Sequence, residues 1–75
     1  MMWNNRIIKE SIEGDIVYYI AEVFYKDGIP HSWTEALTGY YESRQEVIDS
    51  LELMLKDSKQ DTLEIEGGVI KNNEN

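Results

Sequence analysis

The sequence has no cysteine, one histidine and one proline. Without thiols there is no disulfide to staple a small fold and no thiolate site for zinc. His31 alone cannot supply convergent imidazole ligands, and the acidic residues lack the alternating-aspartate order of a calcium loop. No metal or cofactor is therefore expected. Basic residues are also scarce. Seven Lys and Arg stand against fifteen Asp and Glu, for a net charge of −8. That balance argues against direct nucleic-acid binding, which relies on cationic side chains to neutralise phosphates, and against an anionic membrane surface. No apolar run approaches the roughly 20 residues that cross a bilayer. The N-terminus lacks the basic, apolar, small-residue order of a secretory signal, so the expected location is cytoplasmic. No glycine-rich phosphate loop is present, since Gly67-Gly68 is an isolated pair.

What is present suits one small folded domain. The 75-residue length lies near the lower limit for a self-sufficient core. An apolar fraction of 41% still favours folding over disorder. The charge surplus has two readings, simple solubility or an acidic surface that meets a basic groove on another protein.

Trp3 to Ile12 reads as a first strand, ended by the turn signal Glu13-Gly14-Asp15. Ile16 to Tyr25 is the strongest β segment, dense in β-branched and aromatic residues. Its odd positions, Val17, Tyr19, Ala21, Val23 and Tyr25, form an unbroken apolar face. Its even positions, Ile16, Tyr18, Ile20 and Phe24, are nearly as apolar and are interrupted only by Glu22. Successive strand residues point to opposite faces. One helix covers one face of a small sheet, so the other should be covered from outside the monomer, in a homodimer or by a bound partner. Lys26-Asp27-Gly28 then carries the Asp-Gly pair of a tight hairpin. A third strand is expected from about Ile29 to Leu37, with Ile29, His31, Trp33 and Leu37 on one face and Pro30 at an edge or start.

Ser43-Arg44-Gln45-Glu46 reads as a capping box. The serine oxygen accepts from the Glu46 amide and the Glu46 carboxylate reaches back to the serine amide. Val47, Ile48, Leu51, Met54 and Leu55 recur at helical spacing, predicting a helix over about Arg44 to Lys59. Gln45, Asp49, Glu52 and Lys56 take the outer face, with Glu52 and Lys56 as a favourable pair four apart. Thr62 to Glu66 alternates and is a candidate short fourth strand. Residues 69–75 are expected to fray as a polar tail, leaving 1–68 as the domain. The predicted fold class is α+β, a three-stranded antiparallel sheet with one helix on one face.

No catalytic set stands out. Ser32 and His31 are neighbours on a strand, so their side chains diverge. Glu10, Glu22 and Glu35 are candidates for paired carboxylates across strands. Glu22 is either paired with Arg6 or Lys26, or sits at the sheet margin, or is a charge that fixes register or orientation in an interface. The aromatic residues suit a core or interface anchors.

Several stretches resemble a family of short bacterial and phage proteins. They are Trp3-Asn4, Arg6-Ile7, Glu22-Val23-Phe24-Tyr25, Asp27-Gly28, Ser32-Trp33-Thr34-Glu35 and Leu51-Glu52-Leu53-Met54. Members of that family often carry a proline soon after the Trp-Thr-Glu segment. Ala36-Leu37 stands there in this chain, which implies a different connection to the helix. The element order also resembles the N-terminal half of HicB-type antitoxins, in which a polar turn such as Glu42 to Glu46 leads into the single helix. The proline-rich segment of that family is reduced to Ile29-Pro30. No DNA-binding module follows within these 75 residues, so operator binding is not implied.

Two expectations follow, neither of them enzymatic. The first is an acidic protein-binding module, a phage-type inhibitor (anti-CRISPR or anti-defence-like) of a nucleic-acid-handling protein. Its carboxylates would occupy a basic channel as a nucleic-acid mimic. From Glu42 to Glu66 eight acids and three bases give a local net of −5. The candidate contacts are Glu46, Asp49, Glu52, Asp57, Asp61, Glu64 and Glu66. The alternative is an antitoxin-like or regulatory module that forms a homodimer through its sheet, with Tyr18, Ile20, Glu22, Phe24 and Trp33 as the working face.

Overall fold

Three two-residue reversals set the topology of the computed structural model, which describes residues 2–73. Each has two consecutive residues in the left-handed region: Glu13 and Gly14 at φ 50° and 88°, Asp27 and Gly28 at 54° and 78°, Gly67 and Gly68 at 59° and 80°. Two successive positive φ values match the right-handed twist of paired strands, so each turn closes a tight hairpin. The strands are β1 (Trp3–Ile12), β2 (Asp15–Lys26) and β3 (Ile29–Trp33). After helix α1 (Arg44–Ser58) come β4 (Thr62–Glu66) and β5 (Val69–Asn73). The first three strands form an antiparallel sheet in the order β1-β2-β3, and the last two form a separate two-stranded sheet. The chain is therefore an α+β fold, with one element more than the pattern implied.

Two sequence expectations change. Val69–Asn73 does not fray but forms β5, because the Gly67-Gly68 turn folds it back onto β4 with Ile65 opposite Ile70. The rest of the expected tail, residues 74 and 75, lies outside the described residues. The third strand stops at Trp33 and does not reach Leu37. The segment after it still follows β2: Thr34 N donates to Glu22 O at 3.0 Å and Leu37 N to Ile20 O at 3.0 Å. Tyr41 then forms an isolated bridge with Tyr18.

Register assigns the faces. Residues directly opposite in an antiparallel pair share a side. Ile7 pairs with Ile20 and Ile8 with Tyr19, so one face carries Ile7, Tyr18, Ile20, Glu22 and Phe24, and the other Ile8, Glu10, Tyr19, Ala21 and Val23. The register shifts beside Phe24 and Tyr25, where Tyr25 pairs with Pro30 but Phe24 pairs with Ser32. His31 is the extra residue of that bulge, and an extra residue reverses the alternation beyond it. Ile29 and Trp33 consequently lie on opposite faces and do not share one. Trp33, opposite Val23, joins the Tyr19 side.

Helix α1 crosses the Ile20 face. Tyr41 pairs with Tyr18 on that side, and its hydroxyl is 2.8 Å from Ser50 Oγ on the helix. Val47 is the helix residue sealed completely from solvent. The N-terminus is capped as the sequence implied: Glu46 N donates to Ser43 Oγ at 3.2 Å. The reciprocal contact runs from the Ser43 hydroxyl to Glu46 Oε1 at 3.4 Å and does not use the serine amide. The core is small, with Tyr19, Ile20, Ala21, Val23 and Val47 as its buried members. Four of these five lie on β2, the central strand, which alone has a neighbour on each edge.

Candidate functional site

The face of the sheet opposite the helix is partly roofed by the chain's own aromatic residues. Tyr40 stands edge-on to Tyr19 with ring centroids 5.3 Å apart. The Tyr19 hydroxyl donates to Glu10 Oε1 at 2.6 Å. Burial, and then the Glu10 hydrogen bond and charge, push the Tyr19 phenol up to about 12, since both disfavour the phenolate; the Trp33 indole opposes this more weakly. The central residues of this face are therefore sealed from within the monomer. This corrects the expectation of cover from outside the monomer, since Tyr19, Ala21 and Val23 on this face are buried within the single chain.

Beside the roof lies a groove of about 480 Å³, bordered by Arg6, Ile8, Glu10, Val23, Pro30 and Trp33. Trp33 is 59% exposed at its rim. On the same face the Arg6 guanidinium donates to the Tyr25 hydroxyl at 2.7 Å, and that hydroxyl donates to Asn4 Oδ1 at 2.9 Å. Arg6 is thereby engaged with Tyr25. Glu22 lies on the helix side, where its backbone amide donates to Thr34 Oγ1 at 3.1 Å. Glu10 and Glu22 point to opposite faces and make no carboxylate pair.

The residues expected to form a sheet interface divide between the two faces. Tyr18, Ile20, Glu22 and Phe24 lie on the helix side, and Trp33 lines the groove on the other. Phe24 meets Trp3 at 6.5 Å between ring centroids, and Lys9 Nζ sits 6.0 Å from the Tyr18 ring centroid. Tyr19 lines the groove beside Glu10 and meets Tyr40 at its ring edge, and neither tyrosine was among the expected contacts. Their meeting depends on an irregular segment that returns along β2, and no local pattern encodes that.

The acidic candidates spread over three elements. Glu46, Asp49, Glu52 and Asp57 are exposed on α1, and their positions extend over roughly 16 Å of helix axis at 1.5 Å per residue. Their polar contacts are uncharged: Gln45 Nε2 donates to Asp49 Oδ1 at 2.9 Å, and Gln60 Nε2 approaches Asp57 Oδ1 at 3.5 Å. The expected Glu52–Lys56 ion pair is not formed. An ion pair joins Lys71 Nζ to Glu66 Oε1 at 3.0 Å on the terminal hairpin. Asp57 and Asp61 border one cleft with Gln60 and Leu63 at the end of the helix. Glu64 and Glu66 share one side of β4, away from the Leu63 and Ile65 side. Among the described residues no cluster of His and carboxylates has metal-binding geometry, and no helix is long and apolar enough to cross a membrane.

Set against protein-family models, curated proteins and solved structures, the chain matches none.

Proposed function

We propose that this chain is a non-enzymatic acidic protein-binding module, an inhibitor of the phage anti-defence kind that occupies the basic surface of a nucleic-acid-handling protein. The observation that supports it is the exposure of Glu46, Asp49, Glu52 and Asp57 along α1, none of which is paired with a Lys or Arg among the described residues. Unneutralised carboxylates along a helix present negative charge at intervals set by its roughly 1.5 Å rise per residue, as a phosphate backbone does at its own spacing. Such a surface gains affinity and association rate from a basic groove, and salt weakens both.

The test is affinity capture from a bacterial lysate with the natural chain and with the double reversal D49K/E52K. The expected catch is a basic nucleic-acid-handling protein that elutes as salt rises and is lost with the reversal. Retention of every captured partner by D49K/E52K would exclude the charge-mimic reading.

The second reading is an antitoxin-like or regulatory module that works through its sheet. The groove rimmed by Trp33 favours it, because an exposed indole beside an apolar depression is the composition of binding hot spots. Capture that survives D49K/E52K but is lost with Trp33→Ser would select this reading over the first.

A further inference from the structure

The second half of the helix and the terminal hairpin leave apolar surface in water. Every residue from Glu52 to Lys71 is exposed. Met54 and Leu55 continue the stripe begun by Val47 and Leu51, yet they overhang the sheet and remain exposed. On the β4–β5 hairpin, register places Leu63, Ile65 and Ile70 on one side, at 61%, 74% and 64% exposure. A two-stranded hairpin with an uncovered apolar face is at best marginally stable in water. The hairpin strands make their extensive contacts with each other, and the helix makes its own with β1 and β2. Neither apolar element covers the other within one chain.

We infer that a second copy of this chain covers both, in a two-fold homodimer where each hairpin lies over the helix stripe of its partner. Three quantities select a second copy as the occupant. The accessible surface is 6314 Å², whereas a compact monomer of 8.8 kDa exposes roughly 4,800 Å². The excess, about 1,500 Å² per copy and about 3,000 Å² per pair, falls in the range buried by obligate homodimers. The radius of gyration is 16.6 Å, against roughly 11 Å for a compact chain of this length. Charge agrees. Residues 53–71 carry four acids and three bases, a net of −1, whereas residues 1–52 carry ten acids and four bases, a net of −6. Two strongly acidic chains meet with least repulsion where each is nearly neutral. The two patches are also reciprocal, as a two-fold contact requires. Asp57 enters the charge count above, but the two apolar patches use neither the acidic residues nor the groove, so this inference stands or falls apart from the proposed function.

Sedimentation of the full chain between about 1 and 500 µM tests it across the affinities a folded dimer would have. The expected result is twice the 8.8 kDa protomer mass, and a single 8.8 kDa species for both I65D/I70D and M54D/L55D. The near-UV signal of Trp33 and of the Tyr19–Tyr40 pair, remote from both substitutions, should persist in each variant and report an intact sheet. A wild-type chain that stays monomeric throughout overturns the proposal. So does a dimer that survives either double variant, or one that is lost only with Trp33→Ser.

Discussion

The two β-sheets of this molecule have opposite relations to water. In the three-stranded sheet, β2 is flanked on both edges and buries Tyr19, Ile20, Ala21 and Val23. In the two-stranded sheet no side chain from Thr62 to Lys71 is buried, although Leu63, Ile65, Val69 and Ile70 are as apolar as the core residues. Both sheets begin from the same device, a two-residue turn with positive φ. Composition and turn chemistry are enough to form a hairpin, but they do not provide it with a core. A third strand, a crossing helix and a roof of tyrosine provide one for the first sheet. The second sheet carries Leu63, Ile65 and Ile70 on one side and has no lid of its own.

The comparison can be broken most directly at the core. Val47→Asp places an unpaired charge where solvent does not reach, and should cost more than about 3 kcal/mol and unfold the domain. Ile65→Ser, measured by urea unfolding at concentrations below any association, should cost less than about 0.5 kcal/mol. Equal losses at the two positions would show that the sheets are one cooperative unit. Amide hydrogen exchange should repeat the contrast, with Tyr19 to Val23 slowest and β4–β5 faster as the protein is diluted.

A smaller effect comes from the groove side of the core. The Tyr19 hydroxyl titrates higher in the folded chain than the ordinary 10.0, so the folded state holds this proton more tightly. Its contribution is therefore complete below pH 10.0 and is lost as pH rises through about 12. Alkaline unfolding followed by circular dichroism should show stability declining across that window. Tyr19→Phe should remove the decline and cost about 1.5 kcal/mol at neutral pH. A pH profile unchanged by that substitution would mean that other groups dominate the alkaline limb. A slightly smaller effect than that of Tyr19→Phe belongs to the helix entry, where Ser43→Ala should cost about 1 kcal/mol in thermal or urea unfolding by leaving the Glu46 amide without its cap.

Much of this architecture was legible in local pattern. The β-branched run of β2, the Asp27-Gly28 turn and the Ser43 cap each have a short-range cause, and the structure places each as read. β5 was not legible, because Lys71-Asn72-Asn73 is polar and only Val69 and Ile70 mark it as strand. The faces of Ile29 and Trp33 were misassigned because one bulge residue, His31, reverses alternation without any compositional mark. The candidate site was less legible still. The acidic positions could be listed from the sequence, but the groove could not. Its lining comes from three strands, and the Tyr40 ring beside it reaches Tyr19 across twenty intervening residues of strand, turn and irregular chain.

Tyr40 and Tyr41 are consecutive, yet they serve opposite sides of the sheet. Tyr40 lies against Tyr19 at the groove, and Tyr41 ties Ser50 of the helix to the edge of β2. One peptide unit thus spans the layer like a rivet with a head on each surface. The segment that leads into the helix is thereby pinned to both surfaces of the sheet by neighbouring residues.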